Sequence, residues 1–378
     1  MQLMIKRSVD VKATARVLQL SGLFDLPPSE RSENTWTLAL PIEEQPWQIG
    51  LVVGSSGSGK TTLAREAWKN APFVTVGHGY DWPDDKAVVD GFPAEHSIKD
   101  VTAALSSVGF STPPAWLRPF RCLSTGEQFR ATVARALLDP APLVVIDEFT
   151  SVVDRTVAQI GSAAMAKAVR RVPGKQIVCV TCHADVEEWL CPDWTVEMPA
   201  GIFTRRSLRR RPPITLEIAR VDHAAWHLFQ HHHYLDTNLH RSAKCFVAFI
   251  QGRPAAFASA LSAPGRNGGW WREHRTVCLP DFQGVGIGNA LSEFVGGVMK
   301  CLGKPYMSTT GNPAMIRHRA KSPNWKMVRK PSRTSLDGGE KKSPAKGMVV
   351  TRAVNRFTTG FKYVGPARPE DARRLGVC

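Results

Sequence analysis

A short run near the start of the chain, Gly54-Ser55-Ser56-Gly57-Ser58-Gly59-Lys60-Thr61, restricts the fold more than any other stretch. It follows an apolar run at 50–53 and opens a helix-like stretch, Thr62-Leu63-Ala64-Arg65-Glu66-Ala67. Strand, glycine loop and helix together form the setting in which backbone N–H groups and a helix N-terminus converge on a phosphate. Gly54, Ser55, Gly57, Ser58 and Gly59 then form the cradle. Lys60 reaches the β- and γ-phosphates, Thr61 supplies a hydroxyl to Mg²⁺, and Thr62 flanks it. A second apolar run, 143–146, ends in Asp147-Glu148: one carboxylate to hold Mg²⁺ and one to polarise the attacking water. Apolar runs at 50–53, 73–76, 143–146 and 176–181 alternate with helical stretches, so an α/β domain with a largely parallel sheet is predicted, binding ATP and Mg²⁺.

Leu123-Ser124-Thr125-Gly126-Glu127-Gln128-Phe129-Arg130 resembles the signature of the ABC ATPases. Ser151-Val152-Val153-Asp154 resembles their D-loop, and His183, after the run at 176–181, resembles their switch histidine. The resemblance spans roughly residues 20–200. It implies hydrolysis by Glu148 with His183, and Ser124 and Gly126 of one subunit contacting the γ-phosphate held by another, hence an ATP-dependent homodimer. Two departures stand out. No glutamine lies between Thr62 and Gln128, so the family's Q-loop residue is missing and Asp81 or Asp84 is left as a replacement. Trp36 is either the adenine-stacking aromatic or a core strand residue.

Charge divides the chain. Residues 1–205 carry 20 Lys and Arg against 23 Asp and Glu; residues 206–378 carry 29 against 10, for a total of +16. A half that basic attracts a polyanion, and counterion release makes nucleic acid, DNA foremost, the natural partner. No run reaches the ~18 apolar residues of a membrane span and the first residues lack a secretory core, so a cytoplasmic protein without membrane contact is expected. Eight scattered cysteines suit reduced thiols. Cys179-Val180-Thr181-Cys182-His183 spells a haem-attachment pattern, but it sits in a β-branched run that reads as core strand. The cationic run at 205–211 followed by Pro212-Pro213 marks the change, dividing the chain into 1–205, a linker at 206–213, and 214–378.

The second part reads as strands at 216–221, 245–250, 255–261 and 275–279, with Gln251-Gly252-Arg253 as a hairpin turn and a helix at 222–232. Residues 330–346 are poor in apolar side chains and read as a mobile loop, with strand-like stretches at 348–354 and 357–364 after it. The run Arg275 to Leu279, then Gln283-Gly284-Val285-Gly286-Ile287-Gly288 and an apolar helix, resembles motif A of the GNAT acyltransferases. The fold class is therefore α/β, a P-loop ABC-type nucleotide-binding domain followed by a GNAT-like mixed-sheet domain. In the resemblance, Gln283, Gly284, Val285, Gly286 and Gly288 grip the pyrophosphate of acetyl-CoA or another acyl-CoA, and Val277 and Leu279 contact its pantetheine arm. A dinucleotide site would want an acidic residue about twenty positions on, where Cys301-Leu302-Gly303-Lys304 stands instead.

Acyl transfer needs a proton acceptor for the amine and a donor for the departing thiolate. Glu273, His274 and Asp281 flank the motif strand; Tyr234 and Ser308 are the catalytic candidates, with His318 as a substitute. The string His231-His232-His233-Tyr234 looks like the Mom-type DNA-modifying acyltransferases of bacteriophages, which implies an adenine amine as acceptor. Adjacent histidines diverge on a helix and rarely chelate one metal. Trp270, Trp271, Arg272, Arg317, Arg319, Lys321, Trp325, Lys326, Arg329 and Lys330 make either a phosphate-and-base surface or buried tryptophans framed by solvated cations. A protein or small-molecule amine, or a GNAT-like part that only binds, remain the alternatives.

Overall fold

The computed structural model describes residues 1–25, 31–77, 80–205, 213–233, 237–265, 268–333 and 357–378. Its elements run β1 (Gln2–Asp10), α1 (Ala15–Phe24), β2 (Arg31–Ala39), β3 (Ile49–Gly54), α2 (Lys60–Ala67), β4 (Phe73–Thr75), α3 (Ile98–Ser107), α4 (Pro113–Trp116), α5 (Thr125–Leu138), β5 (Leu143–Asp147), α6 (Arg155–Val169), β6 (Gln176–Thr181), α7 (Val186–Leu190), β7 (Trp194–Met198) and β8 (Ile202–Arg205). There follow β9 (Glu217–Val221), β10 (Lys244–Ile250), β11 (Arg253–Ala263), β12 (Trp270–Cys278), α8 (Ile287–Lys300), β13 (Tyr306–Thr310), α9 (Pro313–Lys321), β14 (Trp325–Arg333), β15 (Phe357–Tyr363) and α10 (Pro369–Arg374). They gather into two compact units: Met1–Tyr80, Asp139–Val152 and Val169–Arg211 in one, and Asp81–Leu138, Val153–Ala168 and Pro212–Cys378 in the other.

The first unit is built on a sheet ordered β4-β5-β6-β3-β7-β8, parallel except for the antiparallel edge β8. Leu51, Val52, Val144, Val145, Ile146 and 177–180 are all essentially inaccessible, as strands covered on both faces must be. The order brings the C-terminal ends of β3, β5 and β6 together on one edge. A ribbon of β1 and β2, in register from Gln2↔Ala39 to Asp10↔Arg31, joins the same core through Ile5 and Leu38.

The second unit holds a sheet ordered β14-β15-β13-β12-β11-β10-β9, antiparallel except at β12 and β13. The turn between β10 and β11 is as expected, with Gln251 and Gly252 both at positive φ (50° and 74°). Leu291, Phe294, Val295 and Val298 on one face of α8 pack onto the sheet. The helix expected at 222–232 is instead two 3-10 turns, His223–Leu228 and Gln230–His232. Asp222 caps the first, and Trp226 and Phe229, three apart, are both buried, which matches a three-residue period. Residues 330–333 continue β14 rather than opening a loop. The rest of the expected loop, the strand-like stretch 348–354, and the linker apart from Pro213 lie outside the described residues.

Candidate functional site

The phosphate loop sits where the first unit's topology puts it, at the end of the buried strand β3. Gly57 and Gly59 take φ of 78° and 92°, a left-handed backbone that a β-carbon strains. Gly59 is also the N-cap of α2, with no side chain capping the helix, so its first amides remain available to an anion. Lys60 Nζ donates to the Ser55 carbonyl at 2.7 Å, folding back over the loop. The Ser58 hydroxyl is buried without a hydrogen-bond partner among the described residues.

Thr61 Oγ1 donates to Asp147 Oδ2 at 3.0 Å, so the two expected Mg²⁺ ligands already meet. Burial raises the Asp147 carboxyl above its usual range, helped by the adjacent Glu148 charge and opposed by the Glu148 N–H and the Thr61 hydroxyl. A carboxylate so placed gains from a bound cation, and this donor set fits Mg²⁺. Glu148, one residue beyond β5, is exposed at a φ of 51°. His183 follows β6 on the same edge and donates its backbone N–H to Thr181 Oγ1 at 3.2 Å. Thr62 Oγ1 accepts from Arg7 Nη1 at 3.1 Å. Beside it, a cleft of about 470 Å³ opens between β1 and α2, lined by Arg7, Thr62, Arg65 and Glu66. Trp36 packs into the core and also lies against the loop: a β-carbon on Gly59 would come within 2.8 Å of its ring. Arg7 was not singled out from the sequence, because its place over Thr62 depends on the β1–β2 register.

The signature belongs to the second unit. Ser124 and Glu127 form a capping box at the start of α5: the Ser124 N–H and hydroxyl both donate to Glu127 Oε2, at 3.0 and 3.1 Å. Gly126 is buried and Ser124 exposed. In the D-loop, Asp154 Oδ1 accepts the Thr156 and Val157 amides and caps α6. Asp81 and Asp84 are exposed.

The coenzyme loop repeats the first loop's device. Gly286 (φ 103°) is the N-cap of α8, again without a capping side chain, and a β-carbon there would meet nothing within 4 Å. A β-carbon on Gly288 would touch Cys278, whose sulfur receives the Gly288 N–H; burial pushes that thiol up to about 12. Gly284 is packed rather than open, 2.8 Å from Gly109 Cα and Ala164 Cβ when given a β-carbon. Gln283 spends its side chain on structure, accepting from the Ser111 N–H at 2.8 Å and donating to the Cys278 carbonyl at 2.9 Å. With the Gly288 N–H turned to Cys278, it is the head of α8 at Gly286, where a β-carbon would meet nothing within 4 Å, that has room for a pyrophosphate.

Strand β12 pairs with β13 only at Trp271↔Tyr306 and Arg272↔Met307, then parts from it. Among the described residues, 273–278 thus have no strand partner on that edge, the gap expected for a pantetheine arm. Val277 is buried, and the Leu279 N–H donates to the Ala255 carbonyl, leaving its own carbonyl as the backbone group it can offer. The pairing with β11 shifts between Ser259 and Ala260, leaving His274 as the extra residue of a bulge.

At the parting point lies a buried polar network. Glu273 receives Arg319 at 2.9 Å, Ser292 at 2.6 Å, Thr276 at 2.8 Å and the Ser308 hydroxyl. Burial alone would raise the Glu273 carboxyl; Arg319 and the three hydroxyls outweigh it and hold it below its usual range. Ser308 is only 2% exposed and also accepts from Arg319, so its hydroxyl is committed within the network. Arg319 and Trp325, considered for a nucleic-acid surface, are interior: Arg319 is 1% exposed, with its guanidinium 4.3 Å from the centre of the Trp325 ring. Tyr234 lies outside the described residues. His318 pairs instead with Glu293 at 3.2 Å.

Residues 205–317 match a family model described as the acetyltransferase (GNAT) family. This stretch is a GNAT acetyltransferase domain. The GNAT match runs from before β9 into the first half of α9, including the glycine loop at 283–288, β12 and Ser308. Two curated relatives, the cytochrome c biogenesis ATP-binding export proteins CcmA of Pseudomonas aeruginosa and CcmA 1 of Cupriavidus metallidurans, are each 29% identical over 172 residues. The alignments span 37% of this chain and 82% and 80% of theirs. Two structures of MJ0796, described as a dimeric ATP-binding cassette bound to ADP and Pi and as a dimeric bacterial ABC transporter cassette, are 15% identical, with TM-scores of 0.36 and 0.37. Each covers 46% of this chain and 94% of its own. The chain is an enzyme that joins an ABC-type ATPase part to the GNAT domain. No helix among the described residues is long and apolar enough to cross a membrane.

Proposed function

We propose that ATP-driven dimerisation of the ABC-type part gates a GNAT reaction that moves an acyl group from acyl-CoA to an amine on nucleic acid, with a DNA base as the favoured acceptor. The observation that carries the nucleic-acid reading is the charge division, 29 basic against 10 acidic residues in 206–378. Arg317, Lys321, Lys326, Arg329 and Lys330 are exposed on α9 and β14 and can hold a phosphate backbone.

In the ATPase part, Lys60 and the amides of residues 55–61 bind the phosphates. Thr61 and Asp147 hold Mg²⁺, whose charge offsets that of the transferring phosphoryl group. Glu148 orients and deprotonates the attacking water, and His183 steadies the γ-phosphate. Ser124 and Gly126 of the second subunit close the site. In the GNAT domain the amides around Gly286 bind pyrophosphate, and the free edge of β12 orients the thioester carbonyl. The acceptor nitrogen attacks the carbonyl carbon, the C–S bond breaks, the amine loses a proton, and the thiolate takes one, for which Tyr234 is our candidate donor. A base within a duplex would be extruded first. The domains are 1–205 and 214–378, working in the cytoplasm.

The test incubates duplex DNA with the protein, ATP, Mg²⁺ and acetyl-CoA and analyses released nucleosides by mass spectrometry, beside DNA affinity measured from 50 to 200 mM salt. A mass-shifted nucleoside and affinity falling at least about 100-fold over that range are expected. Unmodified DNA with a flat salt response overturns the nucleic-acid acceptor; acetylation of an added protein or small amine would then name the substrate class.

A further inference from the structure

The coenzyme loop is held from behind by residues far upstream in the chain, all within the second unit. Gly109, at a φ of 87°, backs directly onto it, since a β-carbon there would lie 2.5 Å from the Gln283 carbonyl oxygen. The next turn supplies the Ser111 N–H to the Gln283 side chain. Arg130, from α5, is 1% exposed and donates from Nη2 to the Asp281 carbonyl at 3.1 Å and from Nη1 to the Gly126 carbonyl at 3.4 Å. Arg253 stands on the other side of the turn Pro280–Phe282, 5.7 Å over the Phe282 ring, and reaches Thr156 Oγ1 at 2.7 Å.

A buried guanidinium is an expensive way to fill space, because burial opposes its charge and lowers its pKa. What it provides here is a rigid fork that ties two main-chain carbonyls together. One belongs to the signature glycine and the other to the turn that leads into the coenzyme loop. The Ser124 N–H and hydroxyl are held by Glu127. For these donors to turn to a phosphate they must leave that carboxylate, which reshapes the first turn of α5, where the Gly126 carbonyl sits.

We propose that Arg130 is a positioning residue for acyl-CoA, transmitting engagement of the signature by ATP to the coenzyme loop so that the two ligands bind interdependently. This rests on the ATPase and acyltransferase reading above. Because coupling free energies are reciprocal, acyl-CoA must change ATP-dependent association by the factor by which ATP changes acyl-CoA affinity.

The experiment uses the full chain carrying Glu148→Gln, so that ATP persists, and titrates acetyl-CoA by calorimetry with and without saturating ATP and Mg²⁺. ATP should shift the acetyl-CoA Kd by about five- to 150-fold. Adding Arg130→Met, which keeps the bulk but loses both donors, should erase the shift while ATP still binds the phosphate loop. Arg130→Lys, able to reach one carbonyl but not fork, should keep part of it, and it carries the test should Arg130→Met fail to fold. An unchanged shift in a folded Arg130 variant, or no shift in the parent, overturns the coupling alone. A parent that binds no acetyl-CoA at all overturns the acyltransferase reading, and the coupling with it.

Discussion

The two glycine loops are one device used for different ends. Each follows a strand, turns through a left-handed glycine, Gly59 or Gly286, and opens a helix whose N-terminus no side chain caps. The first is surrounded by chemistry: Lys60 folds over it, and Thr61 at the head of α2 meets Asp147 at the end of β5, with Glu148 next in the chain. In the second, the stretch 283–288 contains no lysine or carboxylate, and the side chain of Gln283 is tied to Ser111 and Cys278. Backbone amides suffice to bind a phosphate, but only neighbouring side chains can transfer one. On the proposed reading, the first loop binds and reacts at the same place, whereas the second would hold the coenzyme by its far end, with the reaction proceeding where β12 parts from β13.

This contrast breaks most readily at Glu148. Glu148→Gln removes the water-polarising carboxylate and should slow ATP hydrolysis by about 10²- to 10⁴-fold in a phosphate-release assay, with ATP binding retained and an ATP-bound dimer accumulating on a sizing column. A monomer at saturating ATP would count against the shared site. In the GNAT domain a loss of comparable size should come from stability. Glu273→Leu strands the Arg319 charge in the interior and should lower unfolding free energy by about 3–5 kcal/mol in denaturant melts. Little change there would mean that the network is solvated and available for chemistry, which would blur the distinction drawn here. Gly286→Asp comes next. It forces a β-carbon into the left-handed region, at about 1–2 kcal/mol, and sets a carboxylate against the pyrophosphate, so the KM for acetyl-CoA should rise at least about tenfold with kcat nearly unchanged. A fall in kcat at constant KM would place chemistry at the loop after all.

Both loops were legible because everything that defines them is local: an apolar run, glycines at fixed spacing, a helix opening. The parallel sheet, the hairpin at Gln251-Gly252 and the apolar face of α8 follow from the same short-range periodicity. What depends on distant pairing was not visible. Nothing in the composition of 81–138 and 153–168 shows that these stretches group with the C-terminal sheet, and Arg130 looks like any helical arginine until Asp281 arrives beside it. Its neighbours Phe129, Ala131, Val133 and Ala134, all buried, were the one available sign that it points inward. For the same reason the sequence leaves Arg319 and Trp325 open between a binding face and buried tryptophans framed by solvated cations: a buried ion pair has the composition of a binding face, and only the partner Glu273 tells them apart.

The smallest effect concerns how the free edge of β12 is kept in shape. His274, the bulged residue, accepts the His240 N–H on Nε2 at 3.2 Å, so that nitrogen carries no proton. Burial lowers its pKa to about 3, with Arg275, Arg272, His240 and His233 all adding repulsion to a proton. A base with a depressed folded value binds more protons unfolded than folded, so its contribution is whole above the ordinary imidazole value and is lost as pH falls toward 3. Between about pH 6.5 and 5.5, above the range in which the carboxylates of the unfolded chain take up protons, the loss from His274 should run at no more than about 1.4 kcal/mol per pH unit. His274→Gln, which can still accept but does not titrate in this range, should flatten the thermal-melt profile across that window. An identical slope in the variant would assign the acid sensitivity elsewhere and leave the bulge without a titrating part in shaping the acyl site.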